Sequence, residues 1–283
     1  MNFLPMSVVL QEALAGGYAV PAFCAWNAET MEAVLQTAQA MKAPVIIMSG
    51  PGEFGLLPPA QMAAIARTIA EKYNVRAALH LDHGDSPDLV DCCLDAGYTS
   101  VMLDYSRRPF AENAEALKRV VMRAHPKKVT VEGELGTVGQ VDQATVEGGK
   151  STSLTDPDAA AQFVEETGID ALAVAIGNAH GIYTVLPRLD FDRLAKIHAA
   201  VSVPLVLHGG SGTPDADLQR AIALGIAKVN VASELVKAQH SSLLDQWGEN
   251  QNLWLPVAQA AAIKAMLPVL EKWLRVTGAA GRA

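Results

Sequence analysis

Apolar residues along the chain fall into two recurring patterns. Short apolar runs are "AVPAF" (19–23), "PVIIM" (44–48), "AALHL" (77–81), "TSVML" (99–103), "KKVTVEG" (127–133), "ALAVAI" (171–176), "PLVLH" (204–208) and "AKVNV" (227–231). Each has strand length, and those that are apolar throughout suit strands covered on both faces. Between them lie stretches such as "ETMEAVLQTAQAM" (29–41) and "AQMAAIARTIAEKY" (60–73), rich in helix formers and apolar at helical spacing. Strand followed by helix through eight units predicts an α/β protein, a (β/α)8 TIM barrel forming a single domain over 1–283. An open doubly wound sheet is the competing arrangement. The barrel is preferred because the units fill almost the whole chain and no G-x-G-x-x-G follows the first strand.

Turn chemistry supports the same reading. "SPD" (86–88), "DPD" (156–158) and "TPD" (213–215) each open a helical stretch. Ser86, Asp156 and Thr213 are expected N-caps, each followed by proline at the first helical position, and Gly97, Gly168 and Gly225 are expected stops. The segment 134–155 fits neither pattern. It is polar and glycine-rich, and a long loop inside a barrel is usually functional; a mobile active-site loop is expected at about 136–155. The tail returns to helix, predicting a C-terminal helical arm over about 234–283 that closes the barrel or packs on another subunit.

Composition narrows the function. Half the residues are hydrophobic and 18% are charged, which describes a globular chain with a large core. The net charge of -8 argues against a nucleic-acid partner. Three cysteines, two of them adjacent, suggest no disulfide framework, and neither a signal peptide nor a membrane span is expected. A cytoplasmic protein is the expectation. Cys24, Cys92 and Cys93 are read as packing residues.

Candidate chemistry gathers where a barrel keeps its active site, at the C-terminal ends of the strands. Strand three ends in His80, Asp82 and His83, strand four in Asp104, and strand five in Glu132 and Glu134. Strand six runs into Asn178 and His180, strand seven ends at His208, and strand eight in Asn230 and Ser233. His83, His180 and His208 each neighbour a glycine at a strand end. Three imidazoles converging at the mouth suit a divalent metal, zinc first, with an open position for catalysis. Strand parity sends His80 and Asp82 inward and does not decide between His80 and His83 as ligand. "HGGSG" (208–212) and "NVASE" (230–234) offer backbone N–H groups beside helix starts, and their pairing after strands seven and eight favours a phosphate.

These residues resemble a family, the class II metal-dependent ketose-bisphosphate aldolases of the fructose and tagatose type. The resemblance is carried by "HLDHG" (80–84), "SVMLDYS" (100–106), "EGELG" (132–136), "TDPDAAAQFVEETGIDALAVAIGNAHGIY" (155–183), "PLVLHGGSG" (204–212) and "KVNVASEL" (228–235). It implies reversible aldol cleavage of a ketose phosphate to dihydroxyacetone phosphate and an aldehyde. Zinc ligands would be His83, His180 and His208, with Glu134 and Asp104 at positions for an alternative or second metal. Asp82 would be the acid/base toward the aldehyde oxygen. Gly181, Gly209, Gly210, Ser211, Asn230, Val231, Ala232 and Ser233 would bind dihydroxyacetone phosphate. The resemblance also implies a monovalent cation (Na+ or K+) in some members, a homodimer or homotetramer, and an accessory subunit for some tagatose-type members.

The sequence departs from the family in several places. The loop glutamate expected to abstract the donor proton aligns with Asp142 in "GQVDQ" (139–143), and Glu147 is the other acid within reach. Cys24 stands where asparagine is common, Trp26 is unusual, Arg107 replaces a frequent histidine and Ser233 a threonine. The donor half is therefore expected intact and the acceptor half altered, with Arg107 or Arg108 facing an acidic acceptor. A zinc hydrolase on the same barrel is disfavoured by a first strand without histidine. A non-catalytic sugar-phosphate-binding subunit is disfavoured by Asp82 and the three histidines standing together.

Overall fold

The computed structural model describes residues 3–140, 153–181 and 186–283. Among these the strands are β1 (Val20–Cys24), β2 (Val45–Ser49), β3 (Ala77–Gly84), β4 (Ser100–Leu103), β5 (Thr130–Leu135), β6 (Gly139–Gln140), β7 (Ala171–Val174), β8 (Ala179–His180), β9 (Leu205–Leu207) and β10 (Ile226–Val231). β1, β2, β3, β4, β5, β7, β9 and β10 pair in parallel and close into a barrel, with β10 returning to β1. The eight apolar runs of the sequence are these eight strands. β6 and β8 form a small separate parallel pair above it, with Gly139 opposite Ala179 and Gln140 opposite His180.

The described helices are α1 (Met6–Gly16), α2 (Ala28–Met41), α3 (Pro51–Phe54), α4 (Pro59–Ala70), α5 (Pro87–Ala96), α6 (Phe110–Ala124), α7 (Pro157–Thr167), α8 (Phe191–Ala200), α9 (Asp215–Ala223), α10 (Ser233–Glu249) and α11 (Leu255–Val276). Ser86 and Asp156 cap α5 and α7, accepting from the backbone of Leu89 and Ala159, and Gly97 and Gly168 end them in the left-handed conformation. Thr213 is a correction. α9 starts at Asp215 behind Pro214, the Thr213 hydroxyl is buried without a partner among the described residues, and Leu224, not Gly225, caps the other end. Cys93 packs in the core as expected, but Cys92 is exposed, because adjacent residues on a helix face different ways.

The core fills the shell between barrel and helices, as continuous apolar strands require. α1 lies across the N-terminal end of the barrel. Ser7 donates its backbone N–H to Thr130 Oγ1, Leu4 donates to the Ala77 carbonyl, and Met6 is fully buried. The bottom is thus plugged and the C-terminal mouth is left for chemistry. α11 packs along α10 and α2 and buries Trp273, so the C-terminal arm folds back on its own barrel. No helix among the described residues is long and apolar enough to cross a membrane.

Candidate metal centre and active site

β3 solves the parity problem by breaking the strand. Its register against β4 shifts between Leu81 and Gly84, and His83 takes φ +45°, a left-handed conformation uncommon outside glycine. Gly84 then passes so close to β4 that a Cβ would meet the Met102 carbonyl oxygen at 2.4 Å. Asp82 and His83, adjacent in sequence, therefore both face the cavity of about 450 Å³ at the mouth. Such a bulge beside a reactive site is a common way to re-aim a side chain.

His83, His180 and His208 converge, with one ligand atom of each within 4.8 Å of the others. His83 Nε2 lies 3.2 Å from His180 Nε2, while Asp104 Oδ2 holds His83 Nδ1 at 2.8 Å. The carboxylate accepts from Nδ1–H, which leaves Nε2 with its lone pair toward the cavity. His208 is turned the other way. Its Nε2–H donates to Glu132 Oε1 at 2.9 Å, freeing Nδ1. Nδ1 of His208 and Oε2 of Glu134 stand 2.9 Å apart, yet neither has an aligned hydrogen bond to a described residue, and His180 Nδ1 is also buried without a partner among them. Buried polar atoms left orphaned are costly unless something else meets them. Three imidazoles gathered within ligand reach of one another, with the Glu134 carboxylate beside His208, are the donor set a divalent metal such as zinc needs, so the residues fit a metal ion.

Charge follows the same arrangement. Burial opposes an imidazolium at His208, but the hydrogen bond to Glu132 and the flanking Glu132 and Glu134 carboxylates together outweigh it and raise its pKa to about 10. Burial, reinforced by the neighbouring His83 and His208, pushes His180 down to about 3. Burial likewise opposes charge on His83, and the Asp82, Asp104 and Glu134 carboxylates together more than offset it, so its pKa is raised. Loss of water contact opposes the Asp82 charge too, but His83, Lys228 and the other histidines hold its carboxyl down at about 2.

Beneath the histidines lies a fully buried polar layer that the sequence reading left unassigned. Lys228 Nζ, from β10, donates to Glu132 Oε2 at 2.9 Å and Oε1 at 3.1 Å, and lies 3.3 Å from His80 Nε2. An ammonium can only donate, so His80 Nε2 accepts and Nδ1–H faces Ser100 Oγ at 2.8 Å. Burial and the Lys228 charge keep His80 neutral, with a pKa near 3. His80 is thus not gathered with the other three. It supports Lys228, which supports Glu132, which orients His208. The one available signal was a lysine in the apolar run "AKVNV", since an ionised side chain at an inward strand position needs a buried partner.

The expected phosphate residues mostly reach the same cavity. Gly181, Gly209, Ser211, Asn230, Ala232 and Ser233 line it. Gly210 and Val231 do not: Gly210 gives its N–H to the Asn230 carbonyl, and Val231 is buried in β10. Gly209 has φ +63°, and a Cβ there would stand 2.0 Å from the Ala179 carbonyl oxygen, so only glycine lets the two loops touch. Glu234 ties this wall down by accepting from Gly212 N–H at 2.8 Å and from Trp273 Nε1–H at 2.9 Å on α11. Asn230 Nδ2 donates to Asp82 Oδ1 at 2.8 Å, linking the phosphate wall to the acid/base candidate. Met48 also lines the cavity, whereas Trp26 packs against the core and Cys24 sits 3.5 Å from Glu53 Oε1. Asp142 and Glu147 lie outside the described residues.

Known proteins are similar to this chain along nearly its whole length. The family described as "Fructose-bisphosphate aldolase class-II" matches residues 5–282. Among solved structures, the YdjI aldolase of Escherichia coli K12 is 37% identical, with a TM-score of 0.88 over 99% of both chains. A Coccidioides immitis protein provisionally assigned as a fructose-1,6-bisphosphate aldolase is 29% identical, with a TM-score of 0.86 over 97% of this chain and 96% of that one. The fructose-bisphosphate aldolase of Campylobacter jejuni, 21% identical with a TM-score of 0.82 over 100% of this chain and 97% of that one, shares the fold. The chain belongs to the class II fructose-bisphosphate aldolase family of metal-dependent carbon–carbon lyases.

Proposed function

We propose that this enzyme reversibly cleaves a ketose phosphate to dihydroxyacetone phosphate and an aldehyde, with zinc held by His83, His180 and His208. The observation that carries the reading is the convergence of these three imidazoles beside one cavity, which His83, His180 and Asp82 line together with the glycine-bearing loops after β9 and β10. When bound there, zinc acts as a Lewis acid that polarises the ketone carbonyl. Asp104 keeps His83 in the ligating tautomer, and Glu132 does the same for His208. Glu134, beside His208, is an alternative metal ligand.

Asp82 is the proton carrier at the aldehyde end. Asn230 Nδ2 donates to its Oδ1, which leaves Oδ2 for the substrate hydroxyl. In cleavage, Asp82 takes that hydroxyl proton as the carbon–carbon bond breaks and the electron pair passes to the donor fragment. A loop acid, Asp142, returns a proton to the donor carbon; in condensation each transfer reverses. The backbone N–H groups and hydroxyls of Gly181, Gly209, Ser211, Ala232 and Ser233 hold the donor phosphate, an anion site of the kind these loops form in barrels. A monovalent cation beside these loops and a homodimer or homotetramer belong to the same reading.

Deuterium exchange at the hydroxymethyl carbon of dihydroxyacetone phosphate, followed by NMR with and without chelator, tests the donor half without knowledge of the aldehyde. Exchange that stops on chelation and returns with zinc is expected. Absence of exchange by zinc-loaded protein refutes the proposed donor.

A further inference from the structure

We propose that Arg107 sets substrate choice by receiving a terminal anionic group, carboxylate or phosphate, on the aldehyde partner. The inference rests on the aldolase reading above and adds the chemical class of the acceptor.

Arg107 lines the same cavity as His83, His180 and Asp82, and it is the one lysine or arginine among the described lining residues. It has no hydrogen bond or ion pair to any described residue. The cavity's carboxylates do not explain it, because each is engaged elsewhere. Asp82 accepts from Asn230, Asp104 holds His83 and Ser106, and Glu134 faces His208 and accepts from Val138 N–H. Arg108, its neighbour, is occupied: its guanidinium stacks 4.2 Å from the Tyr105 ring centroid and lies 3.6 Å from Glu112. Among the described residues of the cavity wall, Arg107 is the cation left available.

Its position gives it a direction. In the strand order β1-β2-β3-β4-β5-β7-β9-β10, β4 stands diametrically opposite β10. The loops that would hold the donor phosphate follow β9 and β10. The arginine follows β4, so it faces the part of the cavity farthest from that phosphate. A chain extending from the phosphate, past the histidines and Asp82, ends at Arg107. The turn that carries it is anchored, since Asp104 Oδ1 accepts from the Ser106 backbone at 3.1 Å and from its hydroxyl at 2.7 Å. A planar guanidinium on a fixed turn matches the two oxygens of a carboxylate or phosphate in a bidentate pair. The solvated alternative, an arginine that merely projects into water, predicts no preference among aldehydes.

The test is condensation with dihydroxyacetone phosphate and matched three-carbon aldehydes: glyceraldehyde, glyceraldehyde 3-phosphate and tartronate semialdehyde. A second matched set of five carbons covers a longer acceptor. Wild type, Arg107→Ala, Arg107→Lys and the control Arg108→Ala are compared at kcat/KM in zinc-loaded protein, with melting temperature as the folding control. The wild type is expected to prefer the acidic aldehydes. Arg107→Ala should lower the acidic-to-neutral ratio about 10- to 100-fold, the range for a hydrogen-bonded charge. Arg107→Lys should restore more of it for phosphate than for carboxylate, and Arg108→Ala should leave it unchanged. The wild-type order of phosphate and carboxylate identifies which anion is used. A ratio in Arg107→Ala within twofold of wild type overturns the inference, as does an equal effect of Arg108→Ala. Wild-type deuterium exchange on dihydroxyacetone phosphate separates the two failures. Exchange present with an unmoved ratio sinks the Arg107 assignment alone, and exchange absent sinks the aldolase donor and the assignment together.

Discussion

Replacing Lys228 with methionine removes the centre of the buried layer under the histidines. The ammonium, fully buried, gives both oxygens of the equally buried Glu132 a partner at 2.9 and 3.1 Å. After the substitution the carboxylate keeps only His208, and His80 Nε2 loses its donor. Breaking a buried ion pair from one side costs about 3–5 kcal/mol, against a total stability of about 5–15 kcal/mol. With an unfolding entropy of about 2.1 cal/mol/K per residue over the 283 residues, the melting temperature should fall by about 5–8 °C. Much of that loss is the stranded charge, so adding Glu132→Gln should return part of it. The pair should then couple by about 1–3 kcal/mol in a double-mutant cycle read by chemical denaturation. Metal affinity should also weaken by about 10- to 100-fold, because Glu132 fixes the His208 tautomer. Additivity within about 0.5 kcal/mol would refute the claim that Lys228 and Glu132 act as a unit.

Asp82→Asn should lower kcat for condensation by about 10²- to 10⁴-fold while leaving donor deuterium exchange measurable, since Asp82 works at the aldehyde oxygen; equal loss in both assays would move Asp82 to the donor. Gly209→Ala should abolish tight binding of dihydroxyacetone phosphate in calorimetry, because its Cβ would strike the Ala179 carbonyl and force the β9 loop off the cavity wall; unchanged affinity would remove that loop from the site. Ser86→Ala should cost about 1 kcal/mol in urea unfolding through loss of the α5 N-cap and leave kcat/KM unaltered.

The barrel was legible because each strand is a short apolar run covered on both faces, and two of three Ser/Asp/Thr-Pro helix starts formed as the residues dictate. The third did not, since Thr213 turns its hydroxyl inward and leaves Pro214 outside the helix. The histidine cluster was legible as a set, because three imidazoles at strand ends have few other uses. Which histidine of β3 joins the set was not, because a bulge with φ +45° at His83 depends on the β3–β4 register and breaks the alternation a sequence displays. The layer of Lys228, Glu132 and His80 was hidden for another reason. Its members come from β10, β5 and β3, far apart in the chain, and only barrel closure brings them together. α1 as the barrel's plug also went unread, since an amphipathic start to a chain does not say which surface it covers.

The most direct test pairs metal analysis with donor exchange in wild type and in His83→Ala, His180→Ala and His208→Ala. The account predicts one equivalent of bound divalent metal per chain in wild type. Each variant should lose metal affinity and deuterium exchange on dihydroxyacetone phosphate together. Exchange persisting in a variant that no longer binds metal, or metal retained undiminished by all three, would contradict the assignment of these histidines as the centre of the enzyme.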